Sequence, residues 1–312
     1  MRAFVFPGQG SQAVGMGKEL SDAYPVARAV FEEIDEALGE KLSTIMWEGP
    51  ADTLTLTANA QPALMAVSLA TTRALAEEGV SVADTAAFVA GHSLGEYSAL
   101  AAARALSVTD AARLLRTRGQ AMQQAVPVGV GAMAALLGLD LEAAQAVAAE
   151  AAQGEVCEAA NDNAPGQVVV SGHATAIDRA IEIAKDKGAK RAMKLPVSAP
   201  FHCALMQPAA EAMQAALAEV TISAPVVPIV PNVKTQSETD PEAIRKLLVE
   251  QVTGAVRWRE SVSWMAGQGV TELVEVGAGK VLTGLARRID GALTGRALNT
   301  PADLQDFAAA LR

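Results

Sequence analysis

Gly91-His92-Ser93-Leu94-Gly95-Glu96 follows an apolar run at 86–90 and leads into a helical stretch at 94–106. A serine between glycines at a strand-to-helix turn is the nucleophile-elbow pattern, and it constrains fold and chemistry together. The turn has to lift the Ser93 side chain clear of a sheet, and its small neighbours let the backbone bend that sharply. The helix behind it starts with unpaired N–H groups that can stabilise an anion. The pentapeptide alone recurs by chance, so its weight comes from the strand before it and the helix after it. The expectation is an α/β fold that transfers or hydrolyses acyl groups through a serine ester.

The rest of the chain supplies such a sheet. A strand is predicted at about 3–6 and helices over most of 18–38 and 61–78. A further helix follows the elbow at about 108–125. After residue 205 the pattern gives a helix and short apolar strands near 226–233 and 272–276, with helices around each. This is a three-layer, α/β-hydrolase-like arrangement with a largely parallel sheet. Abundant alanine and only 4% aromatic residues fit closely packed helices. The middle differs, with strand 132–137, helix 141–152, strands 156–161 and 167–171, helix 174–187 and an extended 190–197. That β-α-β-β-α-β order is the ferredoxin-like motif. Gly129, Gly131 and Pro196 are candidate hinges. A large domain of residues 1–127 and 197–312, carrying a small ferredoxin-like subdomain at 128–196, is expected.

Bulk properties remove several function classes. With 51% hydrophobic and 19% charged residues the chain is not disordered. No apolar run approaches the roughly 20 residues of a membrane span, and the apolar stretch at 3–6 is too short for a signal peptide. Cys157 and Cys203 read as reduced thiols in a cytoplasmic protein. A net charge of −10 argues against nucleic acid as a partner. An anionic ligand would then need a local patch, such as Lys185, Lys187, Lys190, Arg191 and Lys194, or Arg287-Arg288. Such groups are ordinarily solvated surface. No metal-ligand spacing and no P-loop is present.

If Ser93 needs a histidine base, the supply is His92, His173 and His202. His92 leaves the elbow in another direction, and His173 ends a strand of the insertion. His202 lies in a loop before a helix, where side chains tend to face the end of the sheet, and is the favoured base. Arg118 shares a helical stripe with Leu114, Leu115 and Met122. A guanidinium on such a face wants a carboxylate or phosphate. Snorkelling to the surface or an internal salt bridge are the ordinary alternatives, and the residues alone favour them. The loop Phe6-Pro7-Gly8-Gln9-Gly10-Ser11-Gln12 matches a dinucleotide fingerprint only loosely, because the acidic residue ending a second strand is missing. It reads better as a close backbone approach to a ligand, with Gln9 as a donor. Cys203 reads as a small buried residue.

Phe6–Gln12, Gln61-Pro62-Ala63, Gly91–Tyr97, Arg118-Gly119, Asn163-Ala164-Pro165-Gly166-Gln167, Phe201-His202 and the segment from Glu275 to Leu282 match one family nearly end to end. The chain closely resembles the bacterial malonyl-CoA:acyl carrier protein transacylases, and is similar to the acyltransferase domains of polyketide synthases. The resemblance implies Ser93 as nucleophile and His202 as its partner in a dyad. A main-chain carbonyl orients that histidine, and Gln251 matches the position supplying it. It also implies an oxyanion hole from the N–H groups of Leu94 and Gln9, with Arg118 on the malonyl carboxylate. His92, Asn163 and Phe201 would line the substrate pocket. The implied substrates are malonyl-CoA and acyl carrier protein, in fatty acid synthesis and without a cofactor.

A monomer is expected, since no self-pairing strand or heptad is evident. Two departures, Ala164 and Ala278, replace a serine and a proline of the family pattern away from the dyad. Phe201 resembles the malonyl-selective signature of polyketide acyltransferases, where bulk leaves no space for an α-methyl group. The rival readings are a serine hydrolase such as a thioesterase, a stand-alone polyketide acyltransferase, and a non-catalytic scaffold docking carrier protein through the 185–194 patch.

Overall fold

Strand β1 (Arg2–Phe6) sends Phe4 and Phe6 into one apolar core and Ala3 and Val5 into another, all four inaccessible to solvent. Side chains alternate across a strand, so an unbroken apolar run marks a strand covered on both faces, as in parallel sheets. The computed structural model describes residues Met1–Arg312. In it β1 lies between β2 (Phe88–Gly91) and β7 (Glu272–Val276), with β8 (Thr294–Leu298) outside β7, and every pairing is parallel. Phe6 pairs with Gly91, so the glycine loop after β1 and the elbow after β2 leave the sheet side by side.

A second sheet holds β3 (Gly131–Leu137), β4 (Cys157–Ala164), β5 (Gln167–His173) and β6 (Arg191–Lys194). Its order is β4-β5-β3-β6 and its pairings are antiparallel. Helices Leu141–Ala152 and Ala174–Asp186 pack on one face around Leu136, Val147, Val170 and Ile177. The opposite face carries Met133, Ala160 and Val169, against which Leu195, Val197 and Phe201 pack.

Two helices approach unusually closely. In helix Val108–Gln124, a Cβ on Gly119 would stand 2.6 Å from Ala58 Cα of helix Thr57–Glu77. Pro62 has no N–H to give the Ala58 carbonyl four residues back, and Arg116 Nη1 donates to that oxygen at 2.6 Å. Gly119 and Pro62 thereby set the relation of the two helices, and with it the position of Arg118.

Several local expectations change. Residues 226–233 form no strand; Ile229 makes isolated bridges to Val89 and Glu238. Pro225, Pro228 and Pro231 withhold ladder donors at every third position, which limits the segment to a brief extension beside β2. The helix over 18–38 divides into Lys18–Ala23 and Pro25–Leu38, with Pro25 opening the second. The elbow helix is shorter, Gly95–Ala102. Strand β8 was not anticipated, because its outer residues Thr294, Gly295 and Arg296 are exposed and carry no apolar pattern. No helix is long and apolar enough to cross a membrane.

Candidate active site

Ser93 adopts a left-handed backbone with φ of 53°, a conformation costing a non-glycine residue about 1–2 kcal/mol. The elbow tolerates it because Gly91 and Gly95, two residues away on either side, lack side chains. A Cβ on Gly91 would stand 1.9 Å from the Gly95 carbonyl, and one on Gly95 would stand 2.3 Å from Phe6 O. Ser93 Oγ meets His202 Nε2 at 2.8 Å. His202 is also left-handed, at φ 57°, and its Nδ1 faces the carbonyls of Gln251 at 2.9 Å and Gly254 at 3.1 Å. Gln251 lies in the last turn of helix Pro241–Thr253, where carbonyls have no intrahelical donor and carry the negative end of the helix dipole. Those carbonyls hold the Nδ1–H tautomer, leaving Nε2 to accept the Ser93 proton. Burial first, and the Arg118 charge second, push the His202 pKa down to about 3. The resting imidazole is therefore neutral and able to act as a base.

Arg118 is buried, and no carboxylate forms an ion pair with it. Nη1 donates to Gln61 Oε1 at 2.8 Å; Nη2 donates to Gln251 Oε1 at 2.7 Å and to Ser93 Oγ at 3.1 Å. Nε, on the same edge as Nη2, has no partner. The guanidinium carbon lies 5.8 Å from the Tyr97 ring centroid, so the ring face partly offsets the missing counter-charge. Burial lowers the Arg118 pKa. A desolvated cation with an unpartnered N–H beside a nucleophile could receive a carboxylate attached to the reacting group.

The main-chain N–H groups of Gln9 and Leu94 make no hydrogen bond within the chain. The Gln9 side chain is tied back, its Oε1 accepting from Thr57 Oγ1 at 2.8 Å. Both residues line a cleft of about 470 Å³ with Ser93, His202 and Arg118. Gly8 permits this proximity, since a Cβ there would stand 2.7 Å from His92 O. His92 Nε2 bonds Asn163 Oδ1 at 2.8 Å, joining the elbow to β4, and its ring packs near Trp258. Met133, Val169, Leu195, Val197 and Phe201 form the apolar wall.

Three buried side chains that were given no role from the sequence complete the site. Gln61 carries the far end of Arg118. Asn232 accepts from Ser93 N–H at 2.9 Å and donates to Gly91 O at 2.7 Å. Glu96 Oε2 accepts from Asn232 N–H at 3.0 Å and from Gln251 Nε2 at 2.8 Å. Burial raises its pKa to about 7. The Gln251 carboxamide also donates to Ser93 O at 2.9 Å, so this residue serves both dyad and guanidinium.

The chain matches the acyl transferase domain model over residues 3–288. It belongs to that family. The malonyl CoA-acyl carrier protein transacylase of Escherichia coli K12 is 50% identical over 299 residues, 96% of each chain. The crystal structure of the acyl-carrier-protein S-malonyltransferase of Bartonella henselae superposes with a TM-score of 0.97 at 57% identity, covering 99% of both chains. A malonyl-transacylase solved with its type II polyketide synthase acyl-carrier protein superposes at 0.96 with 44% identity, covering 100% of this chain and 99% of that one.

In this acyltransferase Ser93, His202, Arg118, Gln9, Leu94, Gln251, His92, Asn163 and Phe201 gather at one cleft, Gln251 as a buried neighbour of its lining residues. His173 stands apart, its Nδ1 accepting from Val156 N–H. Cys203 is buried with its thiol pushed up to about 11, a poor nucleophile. Lys185, Lys187 and Lys194 pair with Glu182, Glu150 and Asp178, as solvated surface does.

Proposed function

We propose that the protein transfers the malonyl group of malonyl-CoA to the phosphopantetheine thiol of acyl carrier protein through a malonyl ester on Ser93. The observation carrying this reading is the buried Arg118 guanidinium, which has no carboxylate partner and lies 3.1 Å from an Oγ that already bonds His202. His202 Nε2 takes the Ser93 proton as Oγ attacks the thioester carbonyl. The oxyanion accepts from the Leu94 and Gln9 N–H groups, each such donor being worth about 3–4 kcal/mol in other enzymes. The coenzyme A sulfur leaves with the proton from His202. The carrier thiol then gives its proton to His202 and attacks the ester, and Ser93 recovers the proton as the malonyl thioester departs. A carboxylate against Arg118 also cancels a charge that depresses His202, so the acyl group that fits makes the base stronger. These steps require no metal or organic cofactor.

The same reading takes residues 1–127 and 197–312 as an α/β-hydrolase-like catalytic unit and 128–196 as an inserted ferredoxin-like unit. The β-α-β-β-α-β order and the separate apolar core of the second sheet support that division. It places the enzyme in the cytoplasm as a monomer meeting an acidic carrier protein transiently. Intact mass after incubation with malonyl-CoA or acetyl-CoA, with and without carrier protein, tests it. A malonyl adduct that forms on the wild type, is absent in Ser93→Ala and discharges onto carrier protein is expected. An adduct on Ser93→Ala, or rapid release of free malonate without carrier protein as from a thioesterase, refutes it. A stand-alone polyketide role shares this site, and the 44% identical neighbour was solved with a polyketide carrier. Comparing fatty-acid and polyketide carriers as acceptors separates the two.

A further inference from the structure

The left-handed turn at Ser93 needs something that holds it against relaxation, and the elbow glycines only permit it. Both main-chain polar groups of Ser93 are held by side chains far away in the chain. Its N–H goes to Asn232 Oδ1 and its carbonyl receives Gln251 Nε2. Asn232 does more, because its Nδ2 donates at 2.7 Å to the carbonyl of Gly91, the last residue of β2. One carboxamide thus spans the turn from its entry to the nucleophile, in the place a further strand would occupy. The bridge between Val89 and Ile229, with Val230 N–H on Val89 O, delivers Asn232 there. Its own N–H is fixed by Glu96 of the elbow helix, which closes a ring of hydrogen bonds through Ser93, Asn232 and Glu96. Asn232 has no accessible surface and does not line the cleft.

We propose that Asn232 is a positioning residue for acyl transfer, clamping the elbow so that Ser93 Oγ stays on His202 Nε2 beside the open N–H groups of Gln9 and Leu94. By occupying the Ser93 N–H it also leaves Leu94 as the elbow donor for the oxyanion. The inference rests on the acyl-serine reading above. It predicts a loss in the rate of chemistry with little change in recognition of the malonyl carboxylate, because Arg118 is held by Gln61 and Gln251.

The test measures single-turnover acylation by malonyl-CoA, and the labelling rate with a neutral fluorophosphonate probe, in the wild type, Asn232→Ala and Asn232→Asp. Displacing a reacting atom by about 1 Å costs on the order of 100-fold. Asn232→Ala is expected to lower both rates about 100-fold per folded molecule, with half-saturation by malonyl-CoA and the malonyl-over-acetyl preference within threefold of wild type. Asn232→Asp keeps the acceptor for Ser93 N–H and loses the donor to Gly91 O. It is the variant that reports if the alanine protein does not fold, and its loss should be smaller than that of alanine. Rates within threefold of wild type in a folded variant overturn the proposal. So does a loss that only tracks the unfolded fraction, or one confined to half-saturation. Failure of the wild type to form any acyl-serine would instead sink the underlying reading.

Discussion

Replacing Arg118 with methionine keeps an unbranched side chain as far as the position of Nε and removes the charge and every donor. The guanidinium edge facing Ser93 offers Nη2, 3.1 Å from Oγ, and the unpartnered Nε. A carboxylate on a Ser93-bound acyl group would accept two charged hydrogen bonds there, each worth about 1.5–3 kcal/mol. Their sum corresponds to about 10²–10⁴ in kcat/KM for malonyl-CoA. Acetyl-CoA has no carboxylate and forfeits neither bond, so the malonyl-to-acetyl ratio should fall by that factor. Stability should change little. The substitution relieves a desolvated charge, while the carboxamide oxygens of Gln61 and Gln251 lose a donor each, at about 1–3 kcal/mol apiece. Quenched time courses read by intact mass, run with each thioester, give the ratio, and urea unfolding checks the fold. An unchanged malonyl-to-acetyl ratio in folded Arg118→Met would refute the carboxylate assignment.

Phe201 walls the cleft immediately before His202; Phe201→Ala should raise turnover of methylmalonyl-CoA relative to wild type, and no gain would remove the steric argument. With the His202 pKa at about 3, acylation by the free enzyme should be nearly flat from pH 8 to 5 and fall only towards pH 3. A rate that halves near pH 6.5 would contradict a buried neutral base. The unfolded chain takes up a proton on this residue below about pH 6.5, so His202 also makes stability fall as pH drops. In His202→Ala the urea midpoint should decline less steeply between pH 6.5 and 4. Glu96 works in the opposite direction, because its folded pKa of about 7 lies above the ordinary carboxyl value. The unfolded chain releases that proton first, and wild-type stability declines from about pH 4.5 to 7 on this account. Glu96→Gln, whose single oxygen can accept both bonds now made to Oε2, should gain stability over wild type by up to about 3 kcal/mol across that interval. Parallel stability curves over the same range would show that Glu96 ionises normally.

Local chemistry made much of this protein readable. The apolar run of β1, the glycine-flanked serine and the amphipathic helix carrying Arg118 are periodic or turn-specific patterns, and each lies where its pattern points. The segment at 226–233 misled because its apolar character outweighed its three prolines, whereas β8 hid because an exposed edge strand needs no apolar alternation. Gln251 was reached through resemblance as the source of the carbonyl that accepts from the dyad histidine; its carboxamide, which holds Arg118 and Ser93 together, left no trace. Asn232 went unmarked, and Glu96 and Gln61, though inside matched motifs, received no role, for the same reason. A buried carboxamide or carboxylate has no period and no spacing, and the bonds that tie these residues to Arg118 and the elbow span 57 to 158 positions.

By itself the sequence determined that a serine would stand strained between a strand and a helix, with an arginine on a buried helical face. Only the tertiary structure decided what those two residues meet. The pairing of Phe6 with Gly91 brings the Gln9 N–H beside the elbow, and the close approach at Gly119 carries Arg118 to Ser93. The end of helix Pro241–Thr253 fixes His202. Each of these contacts depends on backbone register and interhelical distance, which arise when separate segments exclude water together and cannot be read along any one of them.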